Sequence, residues 1–539
     1  MVVFRSKIPD IEIPPIGIFQ YVFSNPNNIS ENKAIFIDYK TDKRLTFAGL
    51  KSDSKKFAAG LQDKLNFKRG DVLSILSPNQ IDYATVIFGT LVAGGIVSPS
   101  NPMSTVKDYT IQLKDSGASV IIVHPLFLSV AINAAKEANI PESKIFLFGD
   151  EKINKILPYN SLFGEREAIP IEYTPEEVKT TTAYLCYSSG TTGIPKGVES
   201  THHNMVANVM QILSIEKDAH PEIVYVGVLP FYHIYGLSVL MHFIIVLGAS
   251  CVVIPKFDFE TFCRIIQDYK VGIAHIVPPI ILALVKHPKV KEYDFSSLKL
   301  VISGAAALSK ELSESFYNVH KIKIKQGYGL TETSPVNHLC FTENIVPGSC
   351  GILLPNIECK LIDENGQEVG YNTPGELCIR GPNVMKGYLN NKEATDAVFD
   401  EDGYFHTGDI ALVDENEYFY IVDRVKELIK YKGFQVAPAE LEAILISHPS
   451  ISDAAVIGIY SEEDVTEYPV AYVVTKQQSQ HTIEFSGEIR KFVDSQVAPH
   501  KKLRGGVIFV DQIPKSASGK ILRRKLREIH STNIQLLKL

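Results

Sequence analysis

Between residues 45 and 330 the chain alternates stretches of helical character with short runs rich in valine and isoleucine, at 72–76, 120–123, 251–254, 273–277 and 300–302. Apolar runs of strand length separated by helices predict parallel sheets covered by helices. Between 350 and 422 the texture changes to short alternating strands, with turns at Glu364-Asn365-Gly366 and Glu401-Asp402-Gly403, which predicts a β-rich subdomain. After Arg424 a tail of roughly 115 residues carries strands and helices of its own, within the usual size of a domain. The expected fold is α/β. A large N-terminal domain (1–424) holds two parallel or mixed sheets layered with helices plus the β-rich part, and a small α+β C-terminal domain (425–539) follows.

Composition narrows the function. The 539 residues carry a net charge of -7 and no basic block, so there is no electrostatic footprint for a nucleic acid. Seven cysteines, an odd number with no CxxC pair, predict a reducing compartment and no structural metal. Arg5, Lys7, Asp10 and Glu12 break the N-terminus before any stretch reaches signal-peptide length. Residues 236–255 (GLSVLMHFIIVLGASCVVIP) are long enough to span a bilayer, but His242 and Gly248 interrupt them. A buried helix followed by a strand is the expectation, and the same holds for 83–97.

The chemistry is concentrated in short polar segments. In 187–198 (YSSGTTGIPKGV), Gly190, Gly193 and Gly197 free the backbone to converge N–H groups on phosphate oxygens. Ser188, Ser189, Thr191 and Thr192 add hydroxyls and Lys196 a mobile charge. With a strand before it and a helix expected at 204–213, the layout is strand, phosphate loop, helix. The order Lys196-Gly197-Val198 rules out a Walker A loop, and a Ser/Gly-rich linker is the alternative meaning of the composition. In 326–336 (QGYGLTETSPV), Gly327 and Gly329 flank Tyr328, which can stack on a flat ligand. Thr331 can donate to phosphate, and Glu332 supplies the hard oxygen that Mg2+ prefers beside substrate phosphates. A glycine-rich turn with a capping Thr-Glu is the alternative there. Asp409, on an expected loop in YFHTGD, can accept both hydroxyls of a ribose, with the Arg424 fork beside it, or the two form a surface ion pair. Lys520 sits in a loop (PKSASGK) that otherwise reads as a solvated turn.

Together these segments closely resemble the adenylate-forming superfamily of acyl-CoA synthetases, beetle luciferases and peptide-synthetase adenylation domains, and most closely its 4-coumarate:CoA ligase branch, over nearly the whole chain. The resemblance implies an AMP-forming carboxylic acid:CoA ligase using ATP, Mg2+ and coenzyme A, with an aromatic or medium-chain acid as substrate and a C-terminal domain that moves. It implies that Lys520 bridges carboxylate and phosphate during adenylation, that Lys426 is the hinge, and that His233 sits between the acid site and the thiol tunnel. Gln326, Gly327, Tyr328, Ala305, Lys430 and Gln435 are implied to touch the nucleotide. Tyr235, Val239, Gly304, Ala305, Gly329 and Val336 are implied to line the acid pocket, and Lys256, Lys432 and Gly433 to meet coenzyme A. Val239 stands where the plant enzymes can carry serine, which favours a plainer acid.

Two readings compete: a luciferase-like monooxygenase, which shares the first half-reaction, and a membrane-embedded acid carrier resting on 236–255. The terminal Leu537-Lys538-Leu539 is one residue from the tripeptide read by the peroxisomal import receptor, so the expected location is cytoplasmic or peroxisomal.

Overall fold

The computed structural model describes residues 2–188, 195–432, 434–461, 464, 466–476, 481–516 and 519–537, side chains of 532–537 excepted. Ser189, Gly190, Thr191, Thr192, Gly433 and the last two residues therefore lie outside the described residues. Among the described residues, the strands form three large sheets. The first is built on Val72–Leu76, flanked in parallel by Ile96–Ser100 and Ala118–Val123, and continues on one side through an antiparallel pair, β1 (Thr182–Ser188) and β2 (Lys196–Thr201), to the edge strand Gly387–Tyr388. The second has a parallel centre that includes Val224–Gly227, Ser250–Val253, β3 (Ile273–Ile276), β4 (Leu300–Ser303) and β5 (Lys323–Gly329). Every residue of β3 and β4 is buried, as parallel strands covered on both faces require. The third sheet is antiparallel and holds Glu358–Ile362, Gly375–Arg380, β6 (Phe405–Val413) and β7 (Phe419–Arg424). Gly366 and Gly403 take the left-handed backbone at the two turns read from the sequence.

The helix expected at 204–213 is present as α1 (His202–Ile215), but two local readings need correction. The layout of strand, loop and helix missed a strand, because Lys196 to Thr201 first pair back onto β1 in antiparallel register and the helix follows that hairpin. Close packing drives this: a Cβ on Gly197 would lie 3.1 Å from the Tyr187 ring, so glycine lets the two strands meet. Thr201 then caps the helix, accepting from Asn204 N at 3.1 Å while Asn204 Oδ1 accepts from Thr201 N at 2.8 Å. Asp409 lies within β6 rather than on a loop, paired with Arg424 of β7.

The 236–255 stretch is a buried helix that widens into a π-helical turn at Ser238–Phe243, stops at Gly248 and continues as the strand Ser250–Val253. His242 is a satisfied core residue, with Nδ1 2.7 Å from Leu237 O and Nε2 2.7 Å from the Tyr184 hydroxyl. Among the described residues no helix is long and apolar enough to cross a membrane. All seven cysteines are buried and unpaired. From Ile429 onward the tail has a core of its own, in which Val436, Leu441, Leu445, Val456 and Ile489 are buried together.

A buried ion pair lies in the main core. In KIKIKQ, alternation leaves Lys321 and Lys323 outside and Ile322 and Ile324 inside, but Lys325 is also buried. Its ammonium lies 2.9 Å from Glu216 Oε1 and 3.1 Å from Thr342 Oγ1, with the two charged side chains 0% and 3% exposed. Lys325→Met strands the Glu216 carboxylate and is expected to destabilise the protein by about 3–5 kcal/mol, while adding Glu216→Gln restores most of the loss. Thermal and urea unfolding check this; a single variant as stable as the wild type would contradict the pairing.

Candidate active site

The parallel strands β3, β4 and β5 end together, and the segments that follow them face the β6–β7 pair and the C-terminal tail. Ligand sites in open α/β sheets form at such carboxyl ends. Asp409 is the fixed point. It is 4% exposed, and each of its oxygens is engaged: Oδ2 accepts from the Tyr328 hydroxyl at 2.7 Å, and Oδ1 meets Arg424 Nε at 3.1 Å. Burial and the neighbouring carboxylate push the Tyr328 phenol well above its ordinary range, so it stays a donor.

Lys520 is carried to this cluster by the tail. Gly519, beside it, packs against Val277 and Pro279 just past the end of β3, where an added Cβ would lie 3.3 and 3.2 Å away. Burial and the Arg424 guanidinium lower the Lys520 pKa to about 8, partly offset by Asp409 and Glu427. His233, half-buried, feels the same ammonium: burial and Lys520 bring it down to about 4, so its imidazole is neutral near pH 7, with Nδ1 accepting from Tyr235 N at 3.4 Å.

A second contact ties the base of the phosphate loop to the second motif. Ser188 and Lys196 face each other across the β1–β2 hairpin. The Lys196 ammonium lies 4.7 Å from the centre of the Tyr388 ring, and the Tyr388 hydroxyl donates to Glu332 Oε1 at 3.0 Å. The Ser188 hydroxyl is buried with no partner among the described residues. Thr331 and Glu332 form a single helical turn directly after β5.

Gln326 is buried, its Oε1 accepting from Leu308 N at 3.1 Å. Gly327 precedes Tyr328 in β5. On the adjoining wall, a Cβ on Gly304 would sit 2.8 Å from the Tyr235 ring, so glycine lets that ring lie over the end of β4. Ala305 has φ of +67°, a strained conformation for alanine, and such strain is kept at functional sites. A Cβ on Gly329 would collide with Pro335 O at 2.0 Å. Asn208 fixes Val336, donating to its carbonyl at 2.7 Å and accepting from its N–H at 3.1 Å. Val239 is fully buried in the π-helical turn.

The remaining predicted residues are exposed. Lys256 follows the strand Ser250–Val253. Lys426 follows β7, and Lys430, Lys432 and Gln435 lie on the hairpin of Ile429–Tyr431 and Phe434–Val436, where Gln435 Nε2 donates to Glu364 at 3.4 Å. Sequence reading missed Tyr388 and His275. Tyr388 is preceded by Gly387, which pairs with β2 and is the one hint to its place. His275 is the lone polar side chain in an apolar run, and its Nδ1 lies 3.1 Å from the Tyr235 hydroxyl.

Paired Asp409 and Arg424, with a lysine brought to them by a separately cored tail, are the arrangement of an adenylate-forming enzyme. The chain belongs to the AMP-binding enzyme family: that model matches residues 24–389, and the AMP-binding enzyme C-terminal domain matches 440–520. A 4-coumarate–CoA ligase of Pinus taeda is 41% identical, with 97% of each chain covered. A probable 4-coumarate–CoA ligase 2 of Dictyostelium discoideum is 40% identical, with 98% of each covered. Among solved structures, ATP-bound MatB of Rhodopseudomonas palustris aligns over 95% of this chain and 98% of its own, with TM-score 0.85 and 25% identity.

With Lys520 as the ammonium that the resemblance implies for adenylation, a pKa of about 8 predicts a pH-dependent activity. The ammonium is present below that value and lost as pH rises through it. The kcat/KM of adenylate formation, which reports the free enzyme, is therefore expected to fall tenfold per pH unit above about pH 8. Asp409→Asn removes a group that raises the pKa and moves the limb to lower pH. A profile flat to pH 10 would contradict this environment for Lys520.

Proposed function

We propose that this protein is an AMP-forming carboxylic acid:CoA ligase of the 4-coumarate:CoA ligase type, and that residues 1–424 hold ATP and the acid while 425–539 form a moving domain. The observation that carries the reading is the half-buried Lys520 beside Asp409 and Arg424. In the first step an acid oxygen attacks the α-phosphorus of ATP, the bond to pyrophosphate breaks, and acyl-AMP forms. Two anions must approach each other, and a desolvated ammonium between them cancels charge and fixes the line of attack. In the second step the coenzyme A sulfur attacks the acyl carbon, AMP leaves and the thioester remains.

Within this reading Asp409 and Arg424 hold the ribose, and Gln326, Gly327, Tyr328 and Ala305 hold the base. Ser188 to Thr192 with Lys196 and Thr331 cradle the phosphates. Supporting this are the Ser188 hydroxyl, buried without a partner among the described residues, and the Lys196 charge over Tyr388 at the mouth of the hairpin. Glu332 is the single carboxylate that would hold Mg2+, an ion usually bound through one or two carboxylates plus substrate phosphates. Tyr235, Val239, Gly304, Gly329 and Val336 surround the acid, with neutral His233 at the passage to the thiol. Lys430, Lys432, Gly433, Gln435 and Lys256 are reserved for the second step, when rotation about Lys426 withdraws Lys520 and brings the hairpin round. Exposure of that hairpin while Lys520 is inside fits an arrangement set for adenylation.

The two half-reactions separate by mutation. Lys520→Ala is expected to lose adenylation by several orders of magnitude while thioester formation from supplied acyl-AMP survives. Lys426→Pro, with φ locked at the hinge, does the reverse, keeping ATP–pyrophosphate exchange and losing thioester. Equal loss of both steps in either variant, read by pyrophosphate exchange and thioester yield, would sink the assignment.

A further inference from the structure

The helix α2 (Pro278–Lys286) follows β3 and touches the tail at both ends. At its start, Gly519 of the Lys520 loop packs against Pro279, with Val277 beside it. At its end the half-buried Lys286 reaches across to the tail, its Nζ 2.8 Å from Ile451 O and 3.5 Å from Ile446 O. Among the described residues these two carbonyls are its hydrogen-bond partners. Ile446 stands in the last turn of the helix α3 (Pro438–Ser447), where carbonyls lack partners within the helix and the dipole favours a cation. Burial lowers the Lys286 pKa and Lys476 adds to the effect, with Asp453 offsetting part of it. An ammonium drawn partly out of water needs such acceptors, because a desolvated charge without them is costly.

The segment that Lys286 grips is braced to the loop that carries Lys520. Ile451 opens the strand β8 (Ile451–Ser461). Two residues on, Asp453 pairs with Lys515 at 2.6 Å, and Lys515 bridges to Ile521 across the base of the Lys520 loop. Glu442 of α3 accepts from Val456 N at 2.8 Å and from Arg523 Nη2 at 2.8 Å, which ties α3 both to β8 and to the chain just past the loop. With α3, β8 and the loop braced to one another, a hold on Ile446 and Ile451 is a hold on Lys520.

We propose that Lys286 is a positioning residue for adenylation: it clamps the tail through the carbonyls of Ile446 and Ile451 and so keeps Lys520 beside Asp409. The inference rests on the acid:CoA ligase reading with its moving tail, and it names a group that sets the balance between the two arrangements. Rotation about Lys426 takes the two carbonyls away from Lys286, so the clamp acts on one arrangement alone. A contact made in only one of two states shifts their ratio by its full free energy. For the hydrogen bonds of a charged donor that factor is roughly tenfold or more.

The test measures two single-turnover rates for each full-length enzyme: acyl-AMP formation with coenzyme A withheld, and thioester formation from supplied acyl-AMP and coenzyme A. The acid is whichever of 4-coumarate, cinnamate and octanoate the wild type adenylates. Each rate scales with the population of its own arrangement, so their ratio reads the balance, and partial loss of folded enzyme cancels. Lys286→Met keeps the apolar stem but removes the donors, and it is expected to lower the ratio of adenylation to thioester formation by roughly tenfold. Lys286→Arg, which keeps a charged donor, restores most of the ratio, and Lys286→Gln carries the test if Lys286→Met does not fold. An unchanged ratio in Lys286→Met, whether both rates fall together or neither moves, overturns the proposal. Lys426→Pro separates that failure from failure of the reading beneath it. A ratio that rises in Lys426→Pro and stays put in Lys286→Met removes the clamp alone, and a ratio unmoved in both removes the moving tail as well. Absence of acyl-AMP from all three acids removes the ligase reading and the clamp with it.

Discussion

A buried carboxylate held from two sides organises the cleft. Asp409 draws a tyrosine from one sheet and an arginine from the neighbouring strand of another, and after burial it joins Arg424 and Glu427 in setting the proton affinity of Lys520. A charge buried this deeply is tolerated only when paired and hydrogen-bonded. That requirement locks the β-rich sheet against the end of β5, and the pocket exists because those two bodies meet there. Lys520 is then brought to this cluster from outside the large body, on a tail with a core of its own.

The same logic explains why the walls combine rigidity with small residues. Gly304 admits the Tyr235 ring, Gly329 clears the Pro335 carbonyl, and Ala305 accepts a left-handed backbone that only surrounding packing can hold. Below them, Glu216 and Lys325 neutralise each other inside the core, where either alone would be costly. Burial raises the Tyr235 and Tyr225 phenols and keeps His275 uncharged, and the pair adds to both effects, Glu216 on the phenols and Lys325 on the imidazole. The layer behind Tyr235 is thus polar, with protonation states fixed near neutral pH.

Much of this was legible in the sequence, because parallel strands announce themselves as fully apolar runs and phosphate loops as glycine and hydroxyl-rich segments between them. The run at 72–76 coincides with its strand, and the π-turned helix at 238–243 was recognisable as buried through His242 and Gly248. What escaped depends on long-range contacts. The β1–β2 hairpin hides because Lys196 to Thr201 has little alternation and is held by Tyr187, Gly387 and Tyr388. Asp409 read as a loop residue because its partner strand lies beyond a turn. Lys325 sits in an alternating KIKIKQ run in which nothing local marks one lysine as buried. His275 and Tyr388 carry no spacing of their own, and only the folded chain brings them to Tyr235 and Glu332.

The central claim is that chemistry proceeds through an acyl-adenylate held in this cleft. It is tested most directly by rapid quench of stoichiometric enzyme with labelled ATP and a competent acid, coenzyme A withheld. The account predicts an enzyme-bound acyl-AMP approaching one equivalent, with matching pyrophosphate, that converts to thioester and free AMP when coenzyme A is added. Formation of ADP and inorganic phosphate, or thioester produced with no adenylate preceding it, would contradict the account.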